Sequence, residues 1–331
     1  MRRPEFLKRE DAINRRLFLQ STAMASAVCV LGTVCVLDTK SLAVDKSASD
    51  GVTFSFGTYG MKSMSTEDAI RTVSQVGYDG IEIAARADWD AAPARMPKLR
   101  REKVRKLLTD TGLQVTALME HLYPVKDDAK HKVGLARLRE VAQLGHNLSP
   151  DAPPLIQTVL GGGKWEDQKS LFLDRLGDWA MLAEETETVI AIKPHRGGGM
   201  SKPSEAAWLI KQLDDTPWIR MVYDYSHYAF REMSVPATVE TALPYTGHIA
   251  IKDVVKTEKG FKFVLPGASD TFDYADLLKR FYAGGYRGDI CCEVSSMVSG
   301  QPNYDAIAAA KTCYANIAAQ FKLAGVPRRS R

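Results

Sequence analysis

The sequence predicts one eight-stranded (β/α)8 barrel, and three observations lead to that prediction. The chain has 331 residues, which is enough for two average domains or one large α/β barrel. From residue 52 onward, short apolar runs alternate with amphipathic stretches, as in parallel strands joined by crossover helices. Eight such units in about 280 residues favour a closed barrel over an open doubly wound sheet.

Each expected strand is a short apolar run that ends in a polar or glycine-rich loop. The strands are expected at 52–56, 80–83, 114–119, 155–159, 189–192, 219–223, 248–251 and 289–294. The helices are expected near 66–76, 98–110, 133–144, 166–186, 203–214, 236–242, 273–284 and 303–322. No Gly-x-Gly-x-x-Gly motif follows the first strand, which argues against a dinucleotide site. Because no Pro- or Ser-rich linker interrupts residues 52–322, we expect one domain there.

Residues 1–43 have a different character. Arg15 and Arg16 precede Leu-Phe-Leu, residues 21–37 carry no charge, and Ser41-Leu42-Ala43 offers a small-residue exit. This order is typical of a secretory signal, and the paired arginines resemble the twin-arginine class, which exports folded proteins. We therefore expect the twin-arginine machinery as a partner and a soluble periplasmic protein in a bacterium. A single membrane anchor is the alternative.

Charge and cysteine content argue against nucleic-acid binding and against a disulfide-stabilised fold. Residues 1–43 hold seven basic and four acidic side chains, a net +3 of the total +4, so the remainder carries only +1. Such a body has no broad positive field for a phosphate backbone, which disfavours nucleic-acid binding. Outside residues 1–43 the cysteines are Cys291, Cys292 and Cys313, an odd set that does not form a disulfide framework.

Charged residues follow several strands, at the end of a barrel where active sites lie. Alternation along the strands turns Lys193 inward with Ala191, and Glu293 inward with Cys291. His248, Ala250 and Lys252 share the inner face of the seventh strand. Because buried charges are rare without a partner or a function, we expect Lys193, Asp224 and Glu293 to converge at the mouth. Glycine triplets at 161–163 and 197–199 follow the fourth and fifth strands and leave backbone open to a ligand, or serve loop geometry alone.

Four segments resemble the xylose-isomerase-like barrel superfamily, which includes sugar-phosphate isomerases and epimerases and the family-two apurinic endonucleases. They are Gly77-Tyr78-Asp79-Gly80-Ile81-Glu82-Ile83, Tyr223-Asp224-Tyr225-Ser226-His227, Ile251-Lys252-Asp253, and Gly285-Tyr286-Arg287-Gly288 continuing to Glu293. The resemblance spans about residues 52–322. It implies a (β/α)8 fold and chemistry on small polyols or keto-sugars.

The resemblance also implies one divalent metal, held by a glutamate, an aspartate, a histidine and a glutamate on strands five to eight. Asp224 and Glu293 match two of these positions, whereas Lys193 and Ala250 occupy the other two. Two carboxylates with one ammonium carry the same −1 charge as three carboxylates with a divalent ion. We therefore expect a metal-free mouth in which Lys193 replaces the ion's charge. The alternative is Mn, Mg or Zn on Asp224, Glu293, His195 and His227.

Together these features predict a sugar or sugar-phosphate isomerase or epimerase that transfers a proton beside a carbonyl. Glu293 is the expected base, with a pKa raised toward neutral, and Lys193 the electrophile. The remaining expected catalytic residues are Asp224, His195 and His227, of which the two histidines orient the substrate or relay protons. The expected substrate contacts are Glu82, His121, Lys252 and Trp165. The rival function is a non-catalytic carbohydrate-binding barrel, and a homo-oligomer is left open.

Overall fold

Eight parallel strands close into a barrel in the computed structural model, which describes residues 50–258 and 260–329. Around the barrel the strands follow chain order, because each pairs with the next and the last pairs with the first. The barrel strands are β1 Thr53–Gly57, β2 Gly80–Ala84, β3 Gln114–Met119, β4 Leu155–Thr158, β5 Ile190–Ile192, β6 Ile219–Tyr223, β7 Thr246–Ile251 and β10 Asp289–Cys292. The predicted fold class is thus confirmed. The predicted signal at residues 1–43 lies outside the described residues.

Helices connect the strands, as the alternating pattern predicts. They are α1 Thr66–Val76, α2 Lys98–Thr111, α3 Asp128–Leu148, α4 Trp165–Glu185, α5 Pro203–Gln212, α6 Val235–Ala242, α7 Tyr274–Ala283, the short α8 Ser296–Ser299, and α9 Ala306–Ala324. Helix α3 begins five residues before its predicted start at 133. The Asp127 side chain accepts a hydrogen bond from the Lys130 N–H, and this cap makes the earlier start favourable.

One element of the fold was not predicted. Strands β8 Asp253–Thr257 and β9 Gly260–Val264 form an antiparallel hairpin directly after β7. The base of the hairpin is held by Ser269, whose backbone N–H and hydroxyl donate to Asp253 at 2.9 and 2.7 Å. The hairpin brings Phe263 to within 6.0 Å of the His227 ring, measured between ring centroids. It therefore adds a wall to the carboxyl end of the barrel.

The barrel interior is small and polar rather than filled with large aliphatic side chains. Ala191, Val222 and Ala250 form a separate inner apolar cluster, while Ile190 and Ile192 belong to the large core between barrel and helices. Below that inner cluster, the Ser55 hydroxyl donates to Asp289 at 2.7 Å. This arrangement departs from the bulky branched layers usual in such barrels. It leaves room for charged side chains along the axis.

In the described part of the chain, no helix is long and apolar enough to cross a membrane. The three cysteines of that part are free and buried. Cys292 lies in the core outside the barrel and Cys291 faces inward, as the alternation predicts.

Candidate active site

Two carboxylates and two ammonium groups meet at the carboxyl end of the barrel. Lys193 Nζ lies 2.5 Å from Glu293 Oε2, and Lys252 Nζ lies 2.5 Å from Glu293 Oε1. The same two nitrogens lie 3.7 and 3.5 Å from Asp224 Oδ2. All four side chains are buried. We call this set, Lys193, Asp224, Lys252 and Glu293, the mouth quartet; its formal charge is zero.

Backbone hydrogen bonds between neighbouring strands continue beyond the strand ends and hold members of the quartet in position. The Lys193 N–H donates to the Thr158 carbonyl at 2.8 Å, and the Glu293 N–H donates to the Ile251 carbonyl at 3.0 Å. Asp224 is oriented through Oδ1, which accepts from the Ser226 hydroxyl at 2.6 Å. Each member therefore sits on a rigid strand end rather than on a mobile loop, which suits a site that must hold its geometry.

Lys252 is the member whose contribution to the charge balance the sequence interpretation missed. It was expected to contact substrate, and the charge count assumed one ammonium and a net charge of −1. The structure corrects that count to zero, because Lys252 pairs with the second oxygen of Glu293. The signal was present in the sequence, since Lys252 lies two residues after the inward Ala250 and so on the same face.

The pKa of Glu293 also differs from the expectation. Burial alone raises the pKa of a carboxyl group, but the positive charges of Lys193 and Lys252 outweigh burial and lower the pKa of Glu293 to about 2. The predicted shift toward neutral pH is therefore wrong for the protein without substrate. Glu293 is a fully ionised carboxylate at every physiological pH.

His195 and His227 border the quartet, as predicted from their positions after β5 and β6. His227 Nε2 lies 3.3 Å from Asp224 Oδ2, and the two imidazole centroids are 4.1 Å apart. Burial lowers the pKa of His195 to about 3, and burial likewise lowers the pKa of His227 despite the nearby Asp224 carboxylate. Both rings are therefore neutral near pH 7, and each offers one donor and one acceptor.

A cavity of about 250 Å³ opens above the quartet, and we call it the mouth cavity. Lys193, Lys252 and Glu293 contribute to its floor, and the predicted residues His121, His195 and His227 contribute to its walls. Tyr59, Arg196 and Phe263 also line it, and none of these was predicted. Phe263 could not be foreseen because it arrives on the unpredicted hairpin. Of the described cavities, only the mouth cavity is lined by Lys193, Lys252 and Glu293.

Two predicted substrate contacts lie elsewhere. Glu82 is buried deeper in the barrel, where its Oε2 accepts from Gln157 Nε2 at 2.5 Å. Trp165 packs edge to face against Trp208, with ring centroids 5.6 Å apart, and does not line the mouth cavity. The position at the start of α4 turns Trp165 toward the neighbouring helix α5. Its contacts therefore support a packing role.

A second charged cluster lies beneath the mouth quartet. His248 Nε2 lies 3.2 Å from Glu82 Oε2, and His248 Nδ1 lies 3.3 Å from Asp289 Oδ2. Burial lowers the pKa of His248, but the nearby carboxylates of Glu82 and Asp289 outweigh it and raise the pKa above the usual value. Glu82, His248 and Cys291 also place a carboxylate oxygen, an imidazole nitrogen and a thiol within 4.8 Å of one another, so these three residues could hold a metal ion.

The mouth itself does not fit the divalent ion that the sequence resemblance implies. Ammonium groups cover both oxygens of Glu293 and face Asp224, so an added divalent cation would meet two positive charges in a buried site. Ala250 supplies no donor atom at the position expected for histidine. Among the described residues, the alternative ligands Asp224, Glu293, His195 and His227 do not form a group with metal-ligand spacing.

Comparisons with solved structures support the fold at low sequence identity. D-Psicose 3-epimerase from Clostridium cellulolyticum H10, solved with D-tagatose, has a TM-score of 0.69 and 14% identity over 82% of this chain and 99% of that one. The 3-keto-D-glucoside 4-epimerase YcjR from E. coli has a TM-score of 0.58 and 16% identity over 79% of this chain and 100% of that one.

A xylose isomerase-like TIM barrel protein from Mycobacterium smegmatis, solved in complex with magnesium, has a TM-score of 0.62 and 16% identity over 83% of this chain and 97% of that one. The chain spans 43% of a fusion of a xylose isomerase-like TIM barrel with 4-hydroxyphenylpyruvate dioxygenase, with a TM-score of 0.65 and 17% identity over 83% of this chain. No curated protein matches the chain significantly.

The family described as "Xylose isomerase-like TIM barrel" matches residues 70–314, which is well over half of the chain. The matched segment runs from α1 into α9 and contains every member of the mouth quartet. The chain therefore belongs to the xylose isomerase-like TIM barrel family.

Proposed function

We propose that the protein is a sugar isomerase or epimerase that moves a proton at a carbon next to a carbonyl. Two of the structural neighbours are named as sugar epimerases, which supports this reaction class. The observation that carries the proposal is the mouth quartet: a carboxylate with an ammonium on each oxygen, at the floor of a cavity at the carboxyl end of the barrel. A proton transfer beside a carbonyl requires a base near the C–H bond and a positively charged group near the carbonyl oxygen, and the adjacent Glu293 and Lys193 supply these two groups.

Glu293 is the proposed base and Lys193 the proposed electrophile. When a carbonyl oxygen approaches Lys193, the ammonium turns from Glu293 Oε2 to that oxygen. Glu293 then loses one of the two positive charges that lower its pKa, so its basicity rises as the substrate binds. The carboxylate takes the proton from carbon, and the ammonium stabilises the negative charge that develops on oxygen. If Glu293 returns its proton to the neighbouring carbon, and the hydroxyl proton there moves to the first oxygen, the product is the isomer. If a neutral imidazole, of His195 or His227, donates a proton to the opposite face and Glu293 releases its proton to water, the product is the epimer.

The other members of the site hold and move charge around that pair. Lys252 keeps its contact with Glu293 Oε1 and Asp224, which fixes the direction of the carboxylate. The interaction with His227 and the ammonium of Lys252 outweigh burial and keep the pKa of Asp224 well below its usual value. His195 and His227 are neutral rings at the cavity wall, and we propose that they bind hydroxyls and relay protons.

A second candidate function is a carbohydrate-binding barrel without catalysis. The observation that favours it is the same ion pairing, since a carboxylate with a pKa near 2 is a weak base unless the substrate displaces one ammonium. The two candidates therefore differ in one event, the release of Lys193 from Glu293 when a ligand binds.

Deuterium exchange separates the two candidates. Keto-sugars are incubated with the protein in D2O, and exchange at the carbon beside the carbonyl is followed by NMR. We expect exchange with at least one sugar, reduced at least about 100-fold by Glu293→Gln, because loss of a general base costs about that much. Glu140→Gln, on an exposed helix face, is the matched control and should leave the rate unchanged. An absence of exchange with every keto-sugar that binds would favour the binding function instead.

We also propose that the protein is made with a removable twin-arginine signal and acts in the bacterial periplasm. The support is the order of Arg15 and Arg16, the uncharged stretch 21–37 and the exit at Ser41-Leu42-Ala43.

A further inference from the structure

A second cleft lies beside the mouth cavity and shares a wall with it. The cleft measures about 410 Å³, and His121, Val159 and His195 line both spaces. Its remaining surface comes mainly from the loops that follow β4 and β5, which carry the two glycine triplets. We call it the glycine cleft. A ligand seated over the mouth quartet has open space next to it in this direction.

Some glycines of the two loops are needed for packing of one loop on the other. The Gly199 N–H donates to the Gly161 carbonyl at 2.8 Å. A Cβ atom on Gly198 would lie 3.1 Å from the Gly161 carbonyl oxygen, and one on Gly199 would lie 3.0 Å from that of Gly162. Gly161 also has a φ of +85°, which disfavours a side chain there. The loops thus form a floor of exposed backbone.

Packing does not explain the glycines at 162 and 197. A Cβ atom on Gly162 would have its nearest neighbour at 4.0 Å, and one on Gly197 would have its nearest neighbour at 3.9 Å. Neither residue has a positive φ that demands glycine. Both are exposed and line the glycine cleft, so a side chain at either position would extend into the cleft. Their small size leaves this side of the cleft open to a ligand.

The lining of the cleft has the chemistry of a sugar-ring site rather than an anion site. It contains no Lys, Arg, Asp or Glu side chain. One wall is the aromatic ring of Tyr123, which is 46% exposed, and another is the amide of Gln168. An aromatic face can pack on the apolar face of a pyranose while an amide and backbone groups bind its hydroxyls. A phosphate would find no fixed positive charge here.

The wall between the two spaces is also uncharged. Burial lowers the pKa of His121 to about 4 and that of His195 to about 3, so both imidazoles are neutral near pH 7. The Tyr123 hydroxyl lies 3.5 Å from His121 Nδ1, which ties the aromatic wall of the cleft to the mouth. Neutral rings at the junction can bind the hydroxyls or the bridging oxygen of a glycoside.

We propose that the substrate has two sugar rings, with the reacting ring in the mouth cavity and its neighbour in the glycine cleft. The ligand class is therefore a disaccharide whose second ring, the one in the glycine cleft, carries no phosphate. The role of the ring in the mouth rests on the proposed function; the cleft makes its own prediction about binding. A mouth cavity of about 250 Å³ is below the roughly 300–1,000 Å³ of most small-molecule pockets, which agrees with a ligand that extends beyond it.

Calorimetric binding to the purified full chain tests the proposal, with maltose, cellobiose and trehalose compared with methyl α-D-glucoside and glucose 6-phosphate. We expect at least one disaccharide to bind about tenfold or more tightly than the methyl glucoside. Gly197→Leu should remove that preference by filling the cleft, and Gly162→Leu should do the same if the first variant folds poorly. Gly134→Leu, at a helix position with no atom within 4 Å of a new Cβ, is the matched control and should keep the preference.

Three results would overturn the proposal of a two-ring ligand. Glucose 6-phosphate could bind more tightly than every disaccharide, or the methyl glucoside and the disaccharides could bind with equal affinity. The third result is an equal loss of affinity for the methyl glucoside and the disaccharides in Gly197→Leu. The binding data also separate this proposal from the proposed function. A disaccharide and its keto form that bind in the cleft without deuterium exchange leave the cleft standing and remove the enzyme. Exchange that shows no preference for two rings leaves the enzyme standing and removes the cleft.

Discussion

Substitution of Lys193 by methionine measures how strongly the mouth quartet is coupled. The quartet has zero charge, so Lys193→Met leaves a buried net charge of −1, and Glu293→Gln leaves +1. Breaking a buried pair in this way costs about 3–5 kcal/mol of unfolding free energy. In the double variant Lys252 and Asp224 remain as a neutral pair. We therefore expect the double variant to cost about 2–3 kcal/mol less than the sum of the single variants.

Urea unfolding followed by tryptophan fluorescence measures these free energies where the transition is two-state. Each single variant should also lower the melting temperature by roughly 6–20 °C, at about 2–4 °C per kcal/mol for a large domain. Lys106→Met is the control, because its ion pair with Asp110 is exposed and is expected to contribute only about 0–1 kcal/mol. Additive losses in the double variant would refute the coupling of Lys193 with Glu293.

Three further predictions follow from the site and from the N-terminal segment. The pKa of Glu293 is about 2 and that of His195 about 3 in the protein without substrate, so both are deprotonated above pH 5 and neither should give kcat/KM an acid limb between pH 5 and 8. An acid limb near pH 6–7 that remains in both His227→Gln and His248→Gln would assign the base to another group. The double variant Lys193→Glu with Ala250→His should bind Mn²⁺ only weakly in equilibrium dialysis, because the Lys252 ammonium still contacts Glu293. Addition of Lys252→Met should strengthen Mn²⁺ binding. Equal Mn²⁺ affinity in the double and triple variants would show that Lys252 does not oppose a cation. Cell fractionation and N-terminal sequencing should find a periplasmic protein that begins near residue 44. Replacement of Arg15 and Arg16 by Lys should keep the precursor in the cytoplasm. A cytoplasmic protein that retains residues 1–43 would contradict export.

The fold could be predicted because its signals are local and repeated. Every barrel strand is an apolar run with a turn signal after it, and period-two alternation alone separates the inner Ala191 and Cys291 from the outer Ile190 and Cys292. The hairpin β8–β9 escaped prediction because it follows β7 directly and its strands mix apolar with charged residues, so it does not fit the pattern of one apolar run and one helix per unit. Phe263 was missed with it.

The candidate site was predictable in position but not in charge. The inward faces of Lys193 and Glu293 follow from the pleat, whereas the second ammonium on Glu293 depends on the exact reach of Lys252 across the barrel axis. The pKa of Glu293 was misjudged for the same reason, since its direction is set by the balance between burial and two nearby cations. Trp165 could not be assigned from sequence, because the turn of α4 toward Trp208 is a tertiary contact.

The role of the mouth quartet in place of a metal is tested most directly by chelation. Deuterium exchange is measured on one preparation before and after treatment with EDTA, and the metal content is determined in parallel by mass spectrometry. We expect the exchange rate to be unchanged by EDTA and unaffected by added Mg²⁺ or Mn²⁺, because Lys193 and Lys252 already balance Asp224 and Glu293. One equivalent of a divalent metal that is lost on Asp224→Ala, with exchange abolished by EDTA and restored by that metal, would contradict the proposal.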